Sequence, residues 1–232
     1  MKFPRAVHVL PFLLGLVLVA PRGEAAAASW KTALVAQTDP AKLARLKDRQ
    51  ANPRVNRIIY YLHEAQAAGT EPGAALDQAF SRNGTVGPAA ALSRKTLLLN
   101  YRHAMDWGLF TDSNLHALRR GHAATITRGS YKGKTIDIDH IVPLSLASET
   151  GCSLANLEMQ PMSVNRSKGA RVGLYELRFA SRLYEAGILH KATLWRVRWA
   201  FATDHVLPWL VLAGALFFYR RRRRRTTRSP VA

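Results

Sequence analysis

The adjacent residues Asp139 and His140 are the strongest candidates for chemistry in this chain of 232 residues. They follow Thr135–Ile138, an alternating segment rich in β-branched residues, which predicts a strand and places the two side chains on different sides. A carboxylate binds a hard divalent cation, and an imidazole accepts a proton from water near neutral pH. The pair therefore indicates metal-assisted hydrolysis with divided roles. The alternative is a purely structural hydrogen-bonded pair.

Elements that would position this pair are predicted on both sides of it. Residues 125–127 alternate like a strand, and glycines between them and Thr135 allow a hairpin turn. After a polar loop, residues 156–161 suit a short returning strand. Ser163 is the predicted N-cap of the helix that follows. The predicted order is therefore strand, loop, strand, helix.

Polar residues on these later elements extend the candidate site. Asn165 lies on the predicted helix and offers a neutral oxygen as a second metal ligand. Lys168 and Arg171 lie one and two turns further on, within reach of a phosphate. Arg128, just before the motif, is a further candidate phosphate contact. For each of these residues, an ordinary solvated surface position is the alternative.

Taken together, these residues resemble the HNH, or ββα-metal, endonucleases in their H-N-N variant. The resemblance covers about residues 125–171 and is carried by Asp139, His140, Ile141, Val142, Pro143, Asn156, Leu157, Asn165 and Lys168. It implies a small ββα-metal core that hydrolyses phosphodiester bonds with a divalent metal ion.

The resemblance also implies a role for each motif residue. It makes His140 the general base and Asp139 a metal ligand. It makes Asn156 the residue that pins the loop and the orientation of His140. Asn165 occupies a ligand position where many members have histidine, and an amide is a weaker ligand for softer ions such as zinc. The expected cofactor is a divalent metal ion, Mg²⁺.

Charge and cysteine content narrow the functional classes. The net charge is +19, and the segment 29–194 is still net positive, which disfavours an ordinary near-neutral enzyme and indicates a polyanionic partner. Cys152 is the single cysteine, which excludes an intramolecular disulfide and a Cys-rich zinc site. We expect nucleic acid as the partner, DNA rather than RNA, with weak sequence preference and no small-molecule cofactor. A non-catalytic nucleic-acid-binding protein and a membrane-surface protein remain alternatives.

The two ends predict targeting segments around an α+β body. Residues 1–28 have the basic start, apolar run and small residues of a signal peptide, with an uncleaved anchor as the alternative. Residues 200–219 form an apolar helix before the basic tail 220–232, which predicts membrane anchoring with the arginines on the cytoplasmic side. A processed sorting signal and a buried core helix are the alternatives. The predicted location is extracytoplasmic, either periplasmic or at the cell surface.

The body between these ends is predicted in two parts. Residues 29–121 show helical periodicity and predict a helical region. Residues 122–194 contain the nuclease-like motif and a following helix. The predicted fold class is thus α+β, with a mostly helical N-terminal part followed by a small ββα-metal core.

Overall fold

The structure is a computed structural model that describes residues 22–226. Its first part contains helices only, namely α1 (Arg22–Thr38), α2 (Pro40–Leu43), α3 (Asn52–Ala67), α4 (Pro72–Arg82), α5 (Gly87–Asp106) and α6 (Asp112–Arg119). Its second part contains β1 (Ile136–His140), β2 (Leu157–Pro161), α7 (Met162–Lys168), α8 (Leu174–Glu185), α9 (Lys191–His205) and α10 (Leu207–Thr226). The predicted mixed α+β class is confirmed: the protein is mostly helical, with a small antiparallel sheet.

Most of the predicted signal peptide lies outside the residues that the structure describes. Residues 1–21 belong to the part that the structure does not describe, and so do residues 227–232 at the end of the predicted basic tail. The helix α1 begins at Arg22 and continues past Ala28, where cleavage is predicted.

The helical part forms because apolar residues recur at helical spacing between clear stop signals. In α3, Val55, Ile58, Ile59 and Leu62 are fully buried on one face. The helix begins at an Asn-Pro pair, and the chain leaves it through Gly69, whose φ of 80° favours glycine. This part packs as one core against the inner face of the sheet.

A second apolar cluster supports the other side of the motif. Ile141 and Val142, directly after β1, pack with Phe179 and Leu183 of α8 and with Val197 of α9. The loop after β1 is therefore anchored in a core of its own, and α8 and α9 are part of the folded body.

Two strands in antiparallel register carry the motif. His140 pairs with Leu157, and Asp139 pairs with Glu158. Asparagines from the helical part hold the outer edges of both strands. The Asn52 Nδ2 donates to the Ile138 carbonyl at 2.8 Å, and Asn100 on α5 contacts β2.

Asn100 bonds the edge of β2 through both ends of its amide. Its Nδ2 donates to the Leu157 carbonyl at 2.8 Å, and its Oδ1 accepts from the Met159 N–H at 2.8 Å. Asn100→Ala leaves two buried backbone groups unpaired, so we expect a loss of about 3 kcal/mol in the free energy of unfolding. Urea denaturation measures it. Lys95→Ala, exposed on the same helix, is the control and should change stability by less than about 0.5 kcal/mol.

The predicted first strand, residues 125–127, is wrong. Thr125 forms an isolated bridge with Thr135, and the Ile126 N–H donates to the Lys134 carbonyl at 2.9 Å, but these residues do not form a strand. The Gly133 N–H donates to the Ile126 carbonyl at 2.8 Å, so the chain turns directly after Ile126. The N–H groups of Thr127 and Arg128 both donate to the carbonyl of Trp107, at 2.9 and 3.2 Å, which joins this turn to the end of α5.

The predicted cap at Ser163 is also wrong. The helix α7 begins at Met162, directly after Pro161, and no side chain caps it. The Met162 N–H donates to the carbonyl of Thr135 at 2.9 Å, so the pairing of β2 continues into the first residue of the helix. Because the helix begins one residue before Ser163, that serine lies inside the first turn and cannot be its N-cap.

The predicted apolar helix 200–219 is divided in the structure. The helix α9 ends at His205, and α10 begins at Leu207. Among the described residues, no single helix is both long and apolar enough to cross a membrane. The pair Lys191–His205 and Leu207–Arg220 meets that requirement only when taken together, with a bend of 45° between them.

Candidate functional site

His140 ends β1 on its inner face and is 4% exposed. Its Nε2 lies 2.9 Å from the carbonyl oxygen of Gly151. Because a carbonyl oxygen only accepts hydrogen bonds, Nε2 carries the hydrogen, and the lone pair of the neutral ring lies on Nδ1. The loop thus fixes the tautomer and leaves one ring nitrogen as a proton acceptor.

Asn156 closes the loop that carries Gly151. It is fully buried, and its Oδ1 accepts from the Val142 N–H at 2.8 Å. Its Nδ2 donates to the Val142 carbonyl at 3.0 Å and to the Thr150 Oγ1 at 2.8 Å. Thr150 directly precedes Gly151, whose carbonyl bonds His140. The Asn156 amide therefore ties Val142, two residues after His140, to the loop segment that orients the His140 ring.

Asp139 lies on the outer face of β1, opposite to His140. Its Oδ2 accepts from the Lys168 Nζ at 2.6 Å. The same ammonium donates to the carbonyls of His140 at 2.9 Å and Ile141 at 3.3 Å. These three contacts match the three donors of an ammonium group, so Lys168 joins α7 to the end of β1 in this structure, and its predicted phosphate contact stays a prediction.

Asn165 forms a second contact between α7 and β1. Its Nδ2 donates to the Asp137 Oδ2 at 2.7 Å. Asp137 and Asp139 are two residues apart on a strand, and Asn165 and Lys168 are three apart on a helix, so each pair shares one face. The two contacts therefore dock α7 on the outer face of β1.

A buried carboxyl, Glu158, lies directly across the sheet from Asp139. Burial raises the pKa of the Glu158 carboxyl, whereas its hydrogen bonds from Gln160 and Tyr175 and the Lys168 charge act in the opposite direction. The Lys168 Nζ also lies 3.9 Å from the Glu176 Oε1. Several carboxyl groups thus surround a single ammonium.

The two predicted arginine contacts lie at the surface. The Arg171 guanidinium donates to the carbonyls of Ser167 and Lys168, the latter at 3.2 Å, and so caps the end of α7. Arg128 is exposed in the loop after Thr127. Both are accessible to a polyanion, and only Arg171 is adjacent to the α7–β1 contacts.

Sequence reasoning missed three residues that position the site: Asp137, Thr150 and Glu158. Asp137 carries a usable signal, because residues two apart on a strand share a face and Asp139 was already a candidate. The roles of Thr150 and Glu158 depend on loop closure and strand register, which the local pattern does not reveal.

The oxygen atoms near Asp139 suit a hard divalent cation, but they supply only part of its ligand set. Within residues 22–226, no group of three or more His, Cys, Asp and Glu side chains is arranged to hold a metal ion. The available oxygens are the Asp139 carboxylate and the Asn165 amide, which are ligand types that Mg²⁺ accepts when water and phosphate complete its shell. Such a cation must share the carboxylate with Lys168.

A cavity of about 760 Å³ lies behind the loop rather than at these residues. Its wall includes Glu149, Gly151 and Cys152 from the loop and Phe80 and Ser93 from the helical part. Neither Asp139 nor His140 lines it, so we do not assign the chemistry to this cavity.

No protein-family model, curated protein or solved structure matches this chain.

Proposed function

We propose that the chain is a metal-dependent endonuclease of the HNH type that hydrolyses phosphodiester bonds in nucleic acid, preferably DNA. The observation that supports this most is His140, whose Nε2–H bond to Gly151 leaves Nδ1 as a proton acceptor. Asp139 lies beside it on the other face of the strand, and Asn165 docks on that face. This arrangement joins a general base to hard oxygen ligands.

In the proposed reaction, His140 takes a proton through Nδ1 from the water that attacks phosphorus in line with the leaving 3′ oxygen. Asn156 keeps the ring oriented by holding the loop that contains Gly151. Asp139 and Asn165 would hold a divalent cation, which supplies charge neutralisation for the phosphate. Lys168 balances the Asp139 charge and fixes the end of β1 to α7.

Binding in this proposal depends on charge rather than base reading. The net charge of +19 favours contact with phosphates, and neutralising them releases counterions. Arg128 and Arg171 are the proposed contacts near the motif. We therefore expect cleavage with weak sequence preference.

The metal requirement is tested by chelation and by Asp139→Asn. We expect excess EDTA to abolish plasmid nicking and added Mg²⁺ to restore it. Asp139→Asn should raise the Mg²⁺ concentration for half-maximal nicking at least about tenfold, because a neutral amide is a weaker ligand than a carboxylate. The control is Asp106→Asn, exposed at the end of α5. Undiminished nicking in EDTA would contradict the proposed metal dependence.

A second candidate function is nucleic-acid binding without catalysis. The Lys168–Asp139 contact of 2.6 Å favours it, because an ammonium already neutralises the carboxylate that a metal would use. This alternative predicts DNA binding that survives chelation, with no nicking in Mg²⁺ or Mn²⁺. The nicking assay therefore separates the two functions.

We also propose export and attachment to a membrane through the C-terminal helix, with the body outside the cytoplasm. The folded body includes α9, because Phe201 packs on the second core and the His205 Nε2 lies 3.0 Å from the Val172 carbonyl. A truncation should therefore keep α9 and end after Val206.

Fractionation of expressing cells tests this location. We expect full-length protein in the membrane fraction, with its body degraded when protease is added to spheroplasts. The chain ending after Val206 should be released in active, soluble form, because the apolar surface of α10 is gone. A full-length body protected in the cytosol would contradict export. A soluble full-length protein after export would contradict attachment only and favour a processed sorting signal.

A further inference from the structure

One face of α9 exposes two tryptophans on a helix whose other side is buried. Leu194 and Val197 pack into the second core, whereas Trp195 and Trp199 are 59% and 66% exposed. Positions four apart share a helix face, and the Arg198 guanidinium lies 5.3 Å from the Trp195 ring centre. We call Trp195, Arg198 and Trp199 the tryptophan face.

The helix after this face, α10, is apolar on every side from Leu207 to Tyr219. From Leu207 to Tyr219, the large apolar residues are exposed all round the helix, with Trp209 at 70%. A helix that packed into a protein groove would keep one polar face toward water. Uniform apolar exposure instead fits surrounding hydrocarbon, and the arginines that begin at Arg220 complement anionic lipid headgroups.

The apolar part of α10 is shorter than the hydrocarbon core of a bilayer. Leu207–Tyr219 provides 13 residues, which extend about 20 Å at 1.5 Å per residue, whereas the hydrocarbon core measures about 30 Å. A bilayer into which α10 inserts would therefore bring the preceding helix close to its surface. Tryptophan and arginine are the side chains that suit the headgroup region, where an indole keeps one apolar and one hydrated side.

We propose that the tryptophan face rests in the headgroup layer of an anionic bilayer into which α10 inserts. This rests on the proposed membrane attachment and adds an orientation to it. The Leu194 and Val197 packing and the His205 bond to Val172 join α9 firmly to the body. The membrane thus holds the nuclease body in one orientation rather than on a free linker.

Tryptophan and arginine also stack on nucleic-acid bases, and an exposed apolar face also suits a second copy of this chain. Bilayer contact is favoured because α9 leads directly into α10, whose apolar surface neither a nucleic acid nor one partner helix would cover.

The test is quenching of tryptophan fluorescence by lipids with brominated acyl chains, which act over short distances. The full chain is reconstituted in vesicles of phosphatidylcholine and phosphatidylglycerol, with and without bromine. Two variants separate the signals of the two helices. The double variant Trp195→Phe with Trp199→Phe keeps Trp209 on α10 but no tryptophan on α9, and Trp209→Phe keeps both tryptophans of α9. Trp107→Phe, in the helical part, is the matched control. DNA nicking is measured on the same samples, because it reports the proposed nuclease separately.

We expect the brominated lipids to quench both variants, each less than the wild-type protein. The Trp107→Phe control should be quenched as strongly as the wild type. Quenching that disappears in Trp209→Phe would overturn the proposal while keeping attachment through α10. No quenching in any sample would show that attachment itself fails.

Two further measurements test the other partners on Trp195→Ala with Trp199→Ala. The alanine variant could lose DNA affinity tenfold while lipid fails to quench the tryptophan face in Trp209→Phe. That combination would assign the face to nucleic acid and overturn the proposal. A detergent-solubilised dimer that becomes a monomer in this variant would assign it to a second copy, with the same consequence. Unchanged DNA affinity and mass are the expected results.

Discussion

His140→Gln is expected to reduce plasmid nicking by a factor of about 10² to 10⁴ while the protein remains folded. The glutamine amide nitrogen can take over the hydrogen bond that Nε2 donates to Gly151 at 2.9 Å. Glutamine offers no basic nitrogen in place of Nδ1, so the water has no proton acceptor. Single-turnover nicking at saturating Mg²⁺ measures the loss.

The glutamine variant is preferable to alanine because His140 is buried. His140→Ala would leave the Gly151 carbonyl without its donor and remove packing, so a loss of activity there could reflect instability. His122→Gln, which changes an exposed histidine, is the matched control and should nick at the wild-type rate. Wild-type nicking by His140→Gln, with unchanged thermal stability, would remove His140 from the mechanism.

Asn156→Ala is expected to cost about 4 kcal/mol in the free energy of unfolding. It leaves the N–H and carbonyl of Val142 unpaired in the interior and removes the donor to Thr150. Each buried group without a partner costs about 1 to 3 kcal/mol, and the costs are not fully additive. Urea denaturation measures the change, with Ser145→Ala, exposed in the same loop, as the control.

The variant Asn156→Asp tests whether Asn156 orients His140, separately from its contribution to the free energy of unfolding. It keeps the acceptor for the Val142 N–H but places an oxygen against the Val142 carbonyl and the Thr150 hydroxyl. At a temperature where this variant is folded, we expect slower nicking with unchanged DNA affinity, because the Gly151 carbonyl that orients His140 shifts. A stable variant with wild-type nicking would show that the loop does not orient the base.

The local pattern predicted the elements that follow Thr135 well. Alternation before Asp139 gave β1, the segment from residue 156 gave β2, and Asn165 lies on a helix as expected. These succeed because strand and helix periodicity are properties of neighbouring residues.

Contacts between distant segments are what the local pattern missed. Residues 125–127 alternate like a strand, but the chain turns directly after Ile126, and the N–H groups of Thr127 and Arg128 bond Trp107. Lys168 bonds Asp139, which lies 29 positions earlier, a contact that the sequence did not predict. Its predicted phosphate contact stays a prediction. Neither partner belongs to the local pattern, so propensity and spacing could not reveal them.

Packing at the start of the predicted apolar helix 200–219 was not visible in the sequence. The uncharged run after Asp204 suggested a terminal helix from about residue 200, but packing of Phe201 and the His205 bond to Val172 keep α9 in the body. An apolar side chain in a core and one facing lipid have the same sequence signal, and only the tertiary contact separates them.

The asparagines that hold the sheet edges have a consequence for solubility. An unpaired strand edge is a template for strand addition by another chain, and this leads to aggregation. Here the Ile138 carbonyl on one edge and Leu157 and Met159 on the other are already bonded by Asn52 and Asn100. The sheet is closed to intruding strands without a third strand of its own. We therefore expect this two-stranded sheet to resist strand addition by unfolded chains. Self-association of the folded protein would then use its helical surfaces.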